Sequence, residues 1–196
     1  MSRVQLRDEV MTLLLAGHET TAQALTFTSY LLCQNPTWQQ SLREDIDTQG
    51  SDSVLLHYVL LEAMRLYPPV PLVSRTNLDD DIIGGYRIPK GTELDLPQWV
   101  VHRDPEWWQD PLTFNPLRWT EDQVKSRPKY CYFPFAEGPR KCIGMELAMM
   151  EAKIILAEVI KNYVLELAPG FIPQIFGGIT LQSKNGMMVR LKSRSR

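Results

Sequence analysis

Phe133-Pro134-Phe135-Ala136-Glu137-Gly138-Pro139-Arg140-Lys141-Cys142-Ile143-Gly144 sets one cysteine just ahead of a long apolar run, between two glycines and directly after two cations. The unpaired N–H groups of a helix start carry partial positive charge. Arg140 and Lys141 add whole charges, so this position favours an anionic sulfur over a thiol. Gly138 permits a turn closed to other residues, and Gly144 lets a bulky flat partner approach the main chain. A lone cysteine at a helix start is ordinarily a buried structural residue. The surrounding glycines and cations set this one apart.

The spacing Phe135-x-x-Gly138-x-Arg140-x-Cys142-x-Gly144 resembles the haem-thiolate signature of the cytochrome P450 monooxygenases, with every defining position filled. The resemblance implies haem b (iron protoporphyrin IX) as cofactor. Cys142 is then the thiolate ligand of the iron, pushing electron density toward bound dioxygen. Arg140 would pair with a haem propionate through its guanidinium fork, and Phe135 and Gly144 would line the cofactor.

Upstream, residues from about Val4 to Gln34 lack proline and predict one long helix ending before Asn35-Pro36. Its apolar run Met11 to Ala16 is interrupted by Gly17-His18-Glu19-Thr20-Thr21. A glycine there costs about 1 kcal/mol relative to alanine. A threonine hydroxyl can bond back one turn and bend or open the helix. By itself the pentad reads equally well as a polar patch where the helix surfaces. It also resembles the family's oxygen-binding groove, Ala-Gly-x-(Asp or Glu)-Thr. That match implies that Ala16 and Gly17 leave room above the haem, Thr20 holds the bound, reduced dioxygen by hydrogen bond, and Glu19 feeds protons toward it. His18 falls at a variable position and is read as a surface residue.

Thr37 to Asp47 predicts a second, amphipathic helix, and Val54 to Tyr67 a third, capped by Ser53 or Asp52 and stopped by Pro68-Pro69. Glu62 and Arg65 lie three apart on the third helix, among so many apolar residues that the pair is expected to be buried. In the family a second arginine completes a structural triad, and Pro116-Leu117-Arg118-Trp119 supplies it as Arg118, with Trp where Phe is usual.

Between Pro71 and Val101 the pattern changes to short strands: Leu72 to Thr76, a hairpin from Ile82 to Lys90 about Gly84-Gly85, and Thr92 to Leu96. Arg75 matches a family position that contacts the second propionate, although an exposed strand cation is a close alternative. Val70, Leu72 and Val73 match a segment that lines the substrate pocket, which implies an apolar substrate. His102 to Lys129, rich in Pro and Trp, reads as an irregular packed meander in which His102 is structural. Cys33 and Cys131 read as small core residues and His57 as a satisfied helix histidine. A helix from Met145 to about Leu167 would pack on the first helix and clasp the haem, with Ala148, Ala152, Ile155, Leu156, Val159, Tyr163 and Val164 on its buried stripe. In the tail, Ile179 to Gln182 is expected to pair with Met187 to Leu191 across Asn185-Gly186.

Composition excludes several classes. The 196 residues are 44% hydrophobic and 22% charged, with a net charge of −2. The only basic cluster is Lys192, Arg194 and Arg196, so nucleic-acid binding has no footprint. Three cysteines without a C-x-x-C pair support neither a disulfide framework nor structural zinc. No targeting or membrane-spanning segment is visible, which implies the cytoplasm or a membrane reached through an N-terminus outside this chain.

The expected fold class is mainly α with small β-sheets (α+β), the C-terminal part of a single cytochrome P450 domain, with the N-terminal portion absent. The expected activity is monooxygenation of a hydrophobic small molecule with O2 and electrons from a ferredoxin or flavoprotein reductase. Two alternatives stay open: a truncated non-catalytic haem-binding remnant, and a haem-thiolate isomerase or dehydratase. Glu19-Thr20 weighs against the second of these.

Overall fold

The computed structural model describes residues 1–194; Arg196 of the basic tail lies outside them. Helix α1 (Arg3–Gln34) starts at a capping box in which the Ser2 side chain accepts from the Gln5 N–H and the Gln5 side-chain carbonyl accepts from the Ser2 N–H. It runs unbroken through Gly17-His18-Glu19-Thr20, although Thr20 does bond back to the Ala16 carbonyl at 2.7 Å. Pro36 opens α2 (Pro36–Gln49) at its first turn, where a missing N–H costs nothing. Ser53, rather than Asp52, caps α3 (Val54–Leu66) by accepting from Leu56 N–H at 2.9 Å.

Strand β1 (Val73–Thr76) follows, then β2 (Asp81–Ile83), β3 (Tyr86–Ile88) and β4 (Glu93–Leu96). β2 and β3 form the expected hairpin over Gly84-Gly85, and β1 pairs antiparallel with β4, placing Arg75 opposite Leu94. The short helix α4 (Gln98–Val101) leads into the meander, α5 (Glu121–Lys125) lies within it, and α6 (Met145–Asn162) follows the cysteine loop.

Two expectations for the C-terminal part are corrected. The last helix ends at Asn162, not near Leu167, and β5 (Tyr163–Leu167) continues the chain. Tyr, Val and Leu suit a pleated strand, and Gln39 secures it by exchanging two hydrogen bonds with the Leu165 backbone, at 2.9 and 3.0 Å. The expected tail hairpin does not form. Instead β6 (Ile175–Gly177) pairs with β7 (Leu181–Ser183), while β8 (Val189–Ser193) pairs with β5. Asn185-Gly186 does turn the chain, with Gly186 at φ +72°, but the turn links two different sheets.

The main core joins α1, α2, α3 and α6 through Tyr30, Leu32, Leu42, Ile46, Leu60, Leu156 and Ile160. On α6 the buried stripe is Ala152, Leu156, Ala157 and Ile160. Ile155, expected within it, is exposed.

The N-terminal half of α1 is a different surface. Val4, Leu6, Val10, Met11, Leu13, Leu14 and Leu15 are all exposed there, as are Leu147, Met150 and Ile154 on α6. Contiguous apolar patches of this kind favour association. Residues 1–196 expressed alone are therefore expected to self-associate or aggregate, as read by size-exclusion chromatography with light scattering. A monomer that melts cooperatively would contradict this. No helix of the described residues is long and apolar enough to cross a membrane.

Candidate functional site

The cysteine loop is shaped by its backbone. Ala136 N–H bonds to the Phe133 carbonyl at 3.0 Å and Cys142 N–H to the Phe135 carbonyl at 2.9 Å. A single 3-10 turn spans Gly138–Arg140. Ala136 and Gly138 both take positive φ, +56° and +77°; the second is a conformation that glycine adopts freely. The loop delivers Cys142 with its thiol free and exposed, three residues ahead of Met145 at the start of α6. A Cβ on Gly144 would lie 3.9 Å from Cys142 Sγ, so a side chain there would stand against the sulfur. Arg140 is exposed and makes no ion pair among the described residues.

The other cysteines are chemically distinct. Burial, reinforced by Glu166, pushes Cys33 up to about 11, and burial also raises Cys131. Both therefore stay thiols at neutral pH.

Behind the loop lies a buried polar node centred on Glu62. Its carboxylate accepts from Arg65 Nε and Nη2, both at 2.8 Å, and both side chains are fully buried. Trp119 Nε1 donates at 3.1 Å and Asn115 N–H at 3.0 Å. Arg118 Nε approaches to 3.3 Å as an ion pair without a well-directed hydrogen bond, and its Nη2 donates to the Asp110 carbonyl at 2.8 Å. Arg65 directs its remaining donors to the carbonyls of His102, Pro111 and Thr113. The tryptophan at position 119 thus adds a donor that a phenylalanine lacks. The guanidinium of Arg65 also lies 4.9 Å from the Trp108 ring centre.

His102 connects this node to the loop. Its Nε2 accepts from Phe133 N–H at 3.0 Å. Burial, with Arg65 and Arg103 adding, pushes His102 down to about 3, so the ring stays neutral and able to accept. Its role is structural, as expected. His57 differs from expectation: it is half-buried, and its Nδ1 has no partner among the described residues.

On α1, His18 is exposed, and a Cβ on Gly17 would meet nothing within 4 Å. Thr20 Oγ1 is occupied by the Ala16 carbonyl. Glu19 has different partners, its carboxyl accepting from Thr180 Oγ1 at 2.6 Å and from Gln182 Nε2. Sequence reasoning missed Thr180 and Gln182, since nothing local ties positions 161 residues apart. Arg75 is half-buried and donates from Nη1 to its neighbour's carbonyl at Ser74. Val70 and Val73 are half-buried and Leu72 is exposed.

The structure therefore brings Glu62, Arg65 and Arg118 together. Among the described residues, no hydrogen bond or ion pair links Cys142, Arg75 and the Glu19–Thr20 pair to one another. No group of three or more His, Cys, Asp or Glu among these residues could hold a bare metal ion, so iron bound at Cys142 would have to bring most of its donors with it.

The comparisons with known proteins agree among themselves. The family model described as Cytochrome P450 matches residues 1–190. Protein LUTEIN DEFICIENT 5, chloroplastic, of Arabidopsis thaliana is 36% identical over 210 residues, covering 100% of this chain and 35% of its own length. Cytochrome P450 4V2 of Mus musculus is 35% identical over 207 residues, covering 99% of this chain and 39% of its own length. A crystal structure of the cytochrome P450DA heme domain superposes with a TM-score of 0.92 at 31% identity, over 100% of this chain and 46% of that one. The chain thus spans less than half the length of these relatives.

Proposed function

The chain belongs to the cytochrome P450 family, and on that premise we propose that it carries the haem-binding and oxygen-activating part of a haem-thiolate monooxygenase. The observation that carries the reading is the exposed, free Cys142 thiol, presented by a loop whose neighbouring cation Arg140 makes no ion pair among the described residues. These residues suit a haem. A thiolate would meet the iron, and Gly144 leaves the space beside the sulfur clear. Arg140 and Arg75 would receive the propionates, while Phe135 and Gly17 would line the ring. On this reading residues 1–196 are the C-terminal portion of one larger haem-binding domain.

When bound, haem b supplies the redox-active iron at which dioxygen is activated. One oxygen atom enters a hydrophobic organic substrate and the other leaves as water, using two electrons from a ferredoxin or flavoprotein reductase and two protons. The chain's contribution on the oxygen side is Thr20 and Glu19. The Thr20 hydroxyl, now on the Ala16 carbonyl, is the donor that would turn to hold oxygen, and Glu19 would move the proton. Apolar Val70, Leu72 and Val73 support a greasy substrate.

The test is the ratio of product formed to reduced cofactor consumed, measured on the whole haem-loaded protein. Thr20→Ala is expected to keep consuming reductant and oxygen but release hydrogen peroxide in place of product. Glu19→Gln is expected to slow turnover ~10²-fold with haem binding unchanged, since an amide cannot relay the proton. An unchanged ratio in Thr20→Ala would remove the oxygenase reading's distal support.

A further inference from the structure

Glu19 is gripped by side chains from the far end of the chain. Thr180 Oγ1 donates to Glu19 Oε1 at 2.6 Å and Gln182 Nε2 donates to the same oxygen. Gln182 Nε2 also reaches Thr180 Oγ1 at 3.0 Å, closing a three-residue ring. Thr180 is buried, and Glu19 and Gln182 are half-buried. The ring is carried by the β6–β7 hairpin, whose turn is closed by Gly178 N–H on the Thr180 carbonyl at 3.0 Å. Leu181 N–H donates to the Pro69 carbonyl at 2.8 Å, fixing the hairpin to the backbone just past α3.

Glu19 and Thr20 are sequence neighbours, yet they are tied to different bodies. The Thr20 hydroxyl rests on its own helix, whereas the Glu19 carboxyl rests on the C-terminal hairpin. Where the carboxyl sits relative to Thr20 is therefore set by the hairpin and not by α1 alone. We infer that Thr180 and Gln182 are positioning residues for Glu19, so that the C-terminal hairpin governs how efficiently the proton is delivered on the oxygen side. This rests on the roles proposed above for Glu19 and Thr20. The competing account, a tether that merely holds the hairpin to α1, predicts lost stability and no change in chemistry.

The test uses the whole haem-loaded protein with Thr180→Val, Thr180→Ser and Gln182→Leu, beside Glu19→Gln and Thr20→Ala. One readout is product formed per reduced cofactor consumed. The other is the infrared stretch of carbon monoxide on the reduced haem, which senses polar groups near the ligand and needs no turnover. Thr180→Val is expected to lower the ratio about tenfold, the size of one lost hydrogen bond to a carboxylate. It should also shift the carbon monoxide stretch, and Thr180→Ser should restore both. If Thr180→Val does not bind haem, Gln182→Leu decides, because it leaves the Thr180 bond in place and is expected to shift the stretch in the same direction. Parental ratio and stretch in the haem-loaded variants would overturn the inference. Should Thr20→Ala keep the parental ratio, the oxygenase reading loses its distal support, and the stretch still decides whether the hairpin positions Glu19.

Discussion

Glu62→Ala is expected to give misfolded, haem-free protein, not merely a slow enzyme. The carboxylate is fully buried and is the shared acceptor for Arg65, Trp119 Nε1, the Asn115 N–H and the Arg118 ion pair. Removing it leaves Arg65 buried with its charge uncompensated, which costs about 3–5 kcal/mol. A typical domain has only ~5–15 kcal/mol to lose. The damage would also spread toward the cysteine loop. Arg65 holds the His102 carbonyl at 2.9 Å, and His102 holds the Phe133 N–H at 3.0 Å. Thermal melting and haem content of the purified variant are the measurements. A variant that binds haem and melts near the parent would contradict the node's importance. Trp119→Phe offers a milder comparison, since it deletes one donor at 3.1 Å and leaves the charges paired.

Cys142→Ser is expected to abolish thiolate-bound haem, while Cys33→Ser and Cys131→Ser retain it. Cys142 is exposed and its thiol contributes nothing to the core, so the apoprotein should unfold within about 0.5 kcal/mol of the parent. Loss of the haem signal without loss of stability separates a ligand from a structural cysteine. Cys131 is buried beside Trp108 and Trp119, so its serine variant should lose stability first and spectrum only secondarily. The reverse pattern, in which Cys131→Ser or Cys33→Ser removes the signal and Cys142→Ser keeps it, would refute the assignment.

Much of this was legible locally. The cysteine loop, the proline-free first helix and the Glu62–Arg65 spacing are short-range patterns whose consequences stay short-range. Hence α1, α2 and α3 begin and end within about two residues of expectation, and Glu62, Arg65 and Arg118 do meet. The failures lie where distant partners decide. Tyr163–Leu167 continues the helical apolar pattern but is drawn into a strand by Gln39 and by pairing with Val189–Ser193. Asn185-Gly186 signals a turn, and the turn exists, yet only tertiary pairing sends its two arms to different sheets. The grip of Thr180 and Gln182 on Glu19 has no sequence signature, because it depends on where that hairpin lands.

The most direct test of the central claim is the absorption spectrum of the reduced carbon monoxide adduct of the whole haem-loaded protein. If the sulfur anion of Cys142 holds the haem iron, the strongly red-shifted Soret band of thiolate ligation is expected. A Soret band typical of histidine ligation in the parent protein would contradict it.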